Sequence, residues 1–468
     1  MRVHIMFKRM NDDTDILFIA PPRKIPQKAD FPPTGLAYLS SYLKKAGIRS
    51  SVIDGSPMSW DDLARTIAEK SPPVVGVTCW TQERGQAFRT ASIVKEILPD
   101  AKIILGGHHA TAFPENMFIQ AHADAVVIGE GEESTLELTS ALLEGRDLNE
   151  IKGIAYKKDG KIIFTEQRDF IKDLDLIPYP DYDDFDLKNY LGIPDVDGPA
   201  ASIMTSRGCP HACVFCSAAS FWKRKWRARS PTNVVGEIEW LYKRFGVRNF
   251  AFFDDNFTVN KKRAIEICSE IIKRDLNIHW VALSHVAHID EELLRWMKRS
   301  GCFRIDFGIE SGSPVVLKNI NKGQTVDQIE HAFRLAHAAD IKPRAYLMVG
   351  CPGETTETID ETLLLMKKIK PYYSRTAEIL IVFPGTILCD MAKENKLITD
   401  DYWIESDEML HYTCEHDLEV LKRLKDRLMR GMARNDGTFK AMLEYWTRKL
   451  YYRYDFLQKM RRFRRFFK

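Results

Sequence analysis

The sequence predicts an α/β protein. A Rossmann-like, flavodoxin-like domain comes first, then a partial (β/α)6 barrel, then a helical C-terminal region. Three observations predict this. Short apolar runs alternate with amphipathic stretches over residues 1–150, which is the pattern of a parallel sheet wound by crossover helices. The alternation resumes over 199–400, after a proline-rich, acidic connector at 151–198. Glycine and polar clusters fall where the apolar runs stop, and that end of a parallel sheet is where ligands bind.

In the first domain, Ile16–Ala20 reads as a buried strand stopped by Pro21 and Pro22, and Thr34–Lys45 has helical spacing. Strands follow at 51–53, 74–78, 103–105 and 125–128, with helices over 59–70, about 84–98, and after Glu132. Loop residues collect at the strand ends: Thr34 and Gly35; Thr78 through Gln82 to Glu83; Gly106, Gly107, His108 and His109; Gly129, Glu130 and Gly131. No G-x-G-x-x-G opens a helix, so a nicotinamide site is not indicated. In the connector, 154–164 reads as a hairpin turning at Asp159-Gly160.

In the second domain a strand is expected over 202–208, then at 250–253, 280–283, 304–309, 345–349 and 378–383, giving six β/α units. Their ends carry Asp254-Asp255-Asn256, Glu310-Ser311-Gly312-Ser313 and Gly350-Cys351-Pro352-Gly353-Glu354. Residues 401–468 should form two or three helices, broken near Asn435-Asp-Gly437.

A chain of 468 residues is long enough for two or three domains. Hydrophobic content of 45% and charged content of 28% describe a globular protein. No apolar run is long enough to span a bilayer, and the N-terminal residues lack a signal-peptide pattern. Nine cysteines, six of them scattered singly, do not form a disulfide framework. A reducing, cytoplasmic location is therefore expected. The net charge of +3 hides a basic tail, since residues 448–468 carry nine Lys/Arg and one acid.

The decisive stretch is Cys209-Pro-His-Ala-Cys213-Val-Phe-Cys216. Gly208 and Pro210 break regular structure around it, so one tight loop can turn three thiols toward one point. Thiolates are the ligands of iron–sulfur clusters. Three cysteines on a [4Fe–4S] cube leave one iron open. A Cys3His zinc site using His211 is the competing reading of the same residues.

C-x3-C-x2-C with an aromatic before the last Cys, here Phe215, is similar to the radical S-adenosylmethionine (SAM) superfamily. The resemblance implies that SAM chelates the open iron. An electron then cleaves it to a deoxyadenosyl radical, which abstracts hydrogen from a substrate. Asp254-Asp255-Asn256, Gly308-Ile-Glu310-Ser311-Gly-Ser313 and Gly350-Cys-Pro-Gly353-Glu-Thr355 resemble the family's SAM motifs. On that reading Asp254 or Asp255 pairs with the SAM ammonium, Glu310 and Ser311 meet the ribose hydroxyls, and Gly350 and Gly353 admit the adenine. His285 stands where relatives often carry Arg, so a positive contact there is expected to be weakened or pH-dependent.

Gly106-Gly-His-His109-Ala-Thr111, Pro114-Glu115 and Gly129-Glu-Gly-Glu132 resemble the cobalamin-binding domain that precedes many radical SAM cores. The candidate cobalamin residues are Thr34, Gly35, Thr78, Gln82, Gly106, Gly107, His108, His109, Gly129, Glu130 and Gly131. D-x-H-x-x-G is absent, so the resemblance implies cobalamin without a protein imidazole on cobalt.

Together these resemblances imply a cobalamin-dependent radical SAM enzyme that methylates an unactivated carbon of a small-molecule or lipid-like substrate. Oxidative cyclisation or ring rearrangement, as in the anaerobic cyclase of chlorophyll synthesis, is the alternative. An electron donor such as flavodoxin or ferredoxin is implied. A tRNA methylthiotransferase would need a second cysteine triad in the first domain, where only Cys79 occurs, so nucleic acid is not the expected partner. Phe456, Met460, Phe463 and Phe467 recur at helical spacing among basic residues. That pattern suits peripheral contact with an anionic membrane at the cytoplasmic face, or packing on the core.

Overall fold

A computed structural model describes residues 14–372, 377–436, 442–443 and 445–447. The expected tail amphipath at 456–468 and residues 1–13 lie outside the described residues.

The first sheet contains β1 (Ile16–Ala20), β2 (Ser50–Asp54), β3 (Val74–Thr78), β4 (Lys102–Gly106), β5 (Ala125–Val127), β6 (Ile154–Lys158) and β7 (Lys161–Phe164), in the order β2-β1-β3-β4-β5-β6-β7. Strands β1 to β5 are parallel and buried on both faces, which is why they read as unbroken apolar runs. The hairpin expected in the connector instead extends this sheet, with β6 antiparallel to β5. Asp159 and Gly160 turn it with φ of 50° and 75°, the left-handed pair that a two-residue hairpin loop needs. Helix Trp60–Lys70 begins where the Ser59 hydroxyl accepts from the Asp62 N–H.

The second sheet contains β8 (Ala200–Ile203), β11 (Asn249–Phe252), β12 (His279–Ser284), β13 (Cys302–Glu310), β14 (Lys342–Val349) and β15 (Ala377–Ile379). The order is β15-β14-β13-β12-β11-β8, parallel throughout, so the six expected units form one curled half-barrel. Two strands differ from expectation. The run at 202–208 breaks after Ile203, and β9 (Ser206–Arg207) pairs instead with β10 (Arg227–Ala228) in a separate ribbon. The break has a cause: Thr205 N–H and Ser206 N–H both donate to the Asp254 carboxylate. The run at 378–383 leaves the sheet after Ile379, because Ile381 and Val382 pair with residues 410–411.

The C-terminal region straps the two units together. Arg84 of the first domain donates to the carbonyls of Ser406 and Glu408, and Gln120 donates to that of Ile404 at 2.7 Å. Helix Leu418–Asp436 then packs on helix Thr356–Ile369.

Candidate active site

The cysteine loop is built by a backbone that only glycine tolerates. Gly208 has φ of +88°, and a Cβ there would lie 2.1 Å from the Lys225 carbonyl oxygen. Beyond it, Cys209, Cys213 and Cys216 are half-buried free thiols. The thiols lie within one another's electrostatic reach, so a charge on one disfavours a charge on the next. Burial is the larger effect and pushes Cys213 up to about 11. Three soft donors on one loop, held apart from any disulfide, fit a [4Fe–4S] cluster, and a metal supplies the positive charge that their deprotonation needs. His211, the fourth ligand of the competing Cys3His zinc reading, stacks on His285 with ring centroids 4.1 Å apart, and its Nε2 is buried without a partner.

The loop is clamped from outside. Val214 N–H donates to the Ile320 carbonyl at 3.1 Å, Leu388 N–H donates to the Val214 carbonyl, and the Asn321 side chain donates to the Ala212 carbonyl.

The expected SAM residues separate into two groups. Asp255 stands beside the loop and accepts from Gly208 N–H at 3.1 Å. It is exposed by surface area yet walled in by neighbours, and that desolvation, with the charge of Asp254, pushes its carboxyl up to about 6. Glu310 sits at a bulge where β13 ends, in the left-handed region at φ of +62°, and pairs with Lys322 at 2.7 Å. Phe215, within the loop, has its ring 5.8 Å from the Lys322 ammonium.

The others are occupied elsewhere. Asp254 is 1% exposed and accepts from Thr205 N–H, Thr205 Oγ1 and Ser206 N–H, so it shapes the chain ahead of the loop. The Ser311 hydroxyl meets Thr362 Oγ1 at 3.3 Å and accepts from Ser313 N–H, both within the fold. At Gly350, φ is +91°, and the space left by the missing side chain faces Leu421 of the C-terminal helix. The space at Gly353 faces Asn319 in the same way.

His285 is not a pH-dependent replacement for arginine. Its Nδ1 accepts from Ala287 N–H, and its Nε2 bonds the Lys322 carbonyl at 3.1 Å. Burial pushes it down to about 3, so the ring is neutral across the physiological range. With both nitrogens engaged it is also a poor metal ligand, although it lies beside His211 and His288.

The first domain opens a cleft of about 350 Å³ at the carboxyl end of its sheet, within the ordinary size of ligand pockets. Of the expected cobalamin residues, Gln82, His108, Gly129 and Glu130 line it. His108 stacks between Trp80 and Phe221, with ring centroids 4.6 Å and 4.3 Å away. Its Nδ1 is buried without a partner, and burial holds the ring neutral, with its pKa at about 4. His109 turns the other way. It is fully buried, with Nδ1 3.2 Å from Thr81 Oγ1 and its ring against Trp403.

Thr34 and Gly35 do not line the cleft. The Thr34 hydroxyl bonds Ser202 Oγ at 2.5 Å in the seam between the units, and Gly35 opens an exposed helix start. Thr78, Gly106 and Gly107 lie at the strand ends that carry His108. A Cβ at Gly107 would come 3.0 Å from the Cys79 carbonyl oxygen. Gly131 makes room for Leu39. Flat aromatic faces and an orphaned imidazole nitrogen at sheet ends fit a large planar cofactor such as a corrin.

Three cleft residues had no sequence signal tied to them, Phe170, Ser220 and Lys223, whereas Phe383-Pro384-Gly385 is the end of the strand expected at 378–383. Phe221 was findable, since it follows the cysteine motif directly. It ends helix Ser217–Phe221, which starts one residue after Cys216. One helix of five residues, about 7 Å long, therefore joins the cluster loop to the cleft.

A buried ion network locks that junction. Arg207 bonds Glu130 at 2.7 Å and Glu132 at 2.5 Å, and Arg227 reaches Glu130 at 2.8 Å.

Comparison with known proteins agrees with this geometry. The radical SAM superfamily model matches residues 203–366, and the B12-binding domain model matches residues 25–139. An uncharacterized methyltransferase of Pyrococcus horikoshii is 35% identical over 422 residues, covering 87% of this chain and 91% of that protein. The chain belongs to the cobalamin-binding radical SAM family. The anaerobic magnesium-protoporphyrin IX monomethyl ester cyclase of Rubrivivax gelatinosus is 36% identical over 352 residues, 73% of this chain and 63% of the cyclase. The radical SAM methyltransferase TsrM of Kitasatospora setae shares the fold with a TM-score of 0.67 at 21% identity, over 82% of this chain and 76% of that one. The protein is thus an enzyme of the cobalamin-dependent radical SAM methyltransferase family, with cyclases among its relatives. Its cofactors are a [4Fe–4S] cluster, SAM and cobalamin.

Proposed function

We propose that the protein transfers a methyl group to an unactivated carbon of an apolar small molecule or lipid-like substrate, using Cys209, Cys213 and Cys216 for the cluster and the His108 cleft for cobalamin. The observation that carries this is helix Ser217–Phe221, which begins beside the last cysteine and ends in the cleft. A substrate lying along it meets both cofactors at once. When bound, the cluster supplies the electron that cleaves SAM, and cobalamin carries the methyl group. The chain's residues supply placement. Asp255 offers a carboxylate to the SAM ammonium, and Glu310 offers one to its ribose. Trp80, Phe170, Phe221 and Phe383 wall the cleft with apolar faces, which exclude water and admit an apolar substrate.

Anaerobic protein loaded with iron, sulfide and cobalamin, then given SAM and a one-electron donor of the flavodoxin or ferredoxin class, is expected to yield both 5′-deoxyadenosine and S-adenosylhomocysteine by mass spectrometry. Cys213→Ala should abolish the first product. Deoxyadenosine alone, in the presence of a methyl acceptor, would support the cyclase reading that the Rubrivivax relative's name suggests. Loaded protein that retains no cobalamin would refute the cleft assignment.

The basic residues of 448–468 suit docking on an anionic membrane, which would bring a lipid-like substrate to the cleft. No described helix is long and apolar enough to cross a membrane. Removing residues 456–468 is expected to stop co-flotation with phosphatidylserine vesicles, and unchanged flotation refutes the docking role.

A further inference from the structure

We propose that the Lys322–Glu310 ion pair sets the reduction potential of the cluster, with the Lys322 ammonium turned toward the cysteine loop to ease reduction. The proposal rests on the reading that Cys209, Cys213 and Cys216 hold a [4Fe–4S] cluster.

Lys322 is 8% exposed, an unusual place for an ammonium. Its position is fixed by the backbone around it. The two residues before it, Ile320 and Asn321, bond Val214 and Ala212 inside the cysteine motif. Its own carbonyl takes the bond from His285. Its side chain reaches Glu310 Oε1 at 2.7 Å and lies 5.8 Å from the ring of Phe215, the residue before Cys216.

The pair also has a direction. The ammonium is the end that reaches the ring of Phe215, the residue before Cys216, while the Glu310 carboxylate is anchored where β13 ends. The positive end of the pair therefore faces the cysteine loop. The Asp255 carboxylate also stands beside that loop, accepting from Gly208 N–H. His285 is neutral and contributes no charge.

Reduction adds one electron to the cluster. A buried cation on one side stabilises that electron, because little solvent screens the interaction. Net charge and burial are among the quantities that set cluster potentials.

The test is an EPR-monitored redox titration of the reconstituted protein without SAM. Lys322→Met is expected to be harder to reduce than wild type, giving less reduced cluster at any fixed potential. The double variant Lys322→Met with Glu310→Gln removes both charges, leaves neither one buried alone, and is expected to shift the same way. Lys322→Arg should titrate close to wild type. A double variant that loads its cluster and titrates with wild type overturns the proposal. So do methionine variants that fail to load iron where the arginine variant loads it, since the pair is then a structural bridge. Wild-type protein with no cluster signal overturns the cysteine assignment, and this proposal with it.

Discussion

Glu354 shows how burial sets a single group's behaviour. It is 1% exposed, its Oε2 accepts from Gly350 N–H, and its Oε1 is buried with no partner. Burial pushes its carboxyl up to about 7. The folded state therefore holds a proton that the unfolded chain releases near its ordinary value of about 4.3. Between those values the native state binds more protons, so this group's contribution to stability falls as pH rises and is lowest above about 7. The size is at most roughly 4 kcal/mol, taking about 1.4 kcal/mol per pH unit. Glu354→Gln keeps the shape and removes the titration. Its melting temperature should vary less between pH 5 and pH 8 than that of wild type, and an equal slope in both proteins would show that other groups carry the dependence. Sequence placed this residue at a strand end but could not show that its second oxygen is orphaned, because that depends on Gly350, Cys351 and the loop around Glu415 closing over it.

The cysteine loop shows what one element demands. Its backbone turns at Gly208, whose missing side chain lets the chain pass the Lys225 carbonyl. Gly208→Ala is strained twice, by its positive φ and by a contact that backbone cannot relieve. The variant is expected to retain little iron after reconstitution, by colorimetric assay, while keeping a wild-type far-ultraviolet circular dichroism spectrum. Full iron loading would mean that the loop can rearrange. The strand before it also shows the limit of local reading. Apolar and β-branched residues at 202–208 predict one continuous strand, yet Asp254, 48 to 49 residues away in sequence, takes the Thr205 and Ser206 N–H groups and ends β8 early. The run at 378–383 is shortened in the same way, by a distant strip of chain at 410–411 that offers a competing partner.

At the scale of the whole molecule, the two sheets are joined by charge and by a strap. Arg207 of the barrel is buried between Glu130 and Glu132 of the first domain. Arg207→Met would strand Glu132 without its cation, since Arg227 reaches only Glu130 among the pairs seen. Breaking a buried pair from one side costs roughly 3–5 kcal/mol. The variant's urea midpoint should fall accordingly, and a loss under about 1 kcal/mol would mean the seam hydrates freely. A second contact, Tyr38 with the buried Arg229–Glu237 pair, holds the other edge of the seam. Such couplings explain why the cleft belongs to neither unit alone.

The sequence by itself determined what is local. Cysteine spacing, the strand–helix alternation and the glycine turns are short-range patterns, set by backbone sterics and burial. It therefore announced the cluster loop, the two parallel sheets and the strand-end loops. Only the tertiary structure decided which strand-end residues face a ligand. His108 enters the cleft while its neighbour His109 is sealed in the core. Asp255 stands by the thiols while Asp254 is consumed by backbone. Lys322 reaches the site from the turn after helix Pro314–Asn319, and Phe221 from the end of a five-residue helix. Those outcomes depend on side-chain direction and on partners tens to hundreds of residues away, and neither is a property of neighbouring residues in the chain.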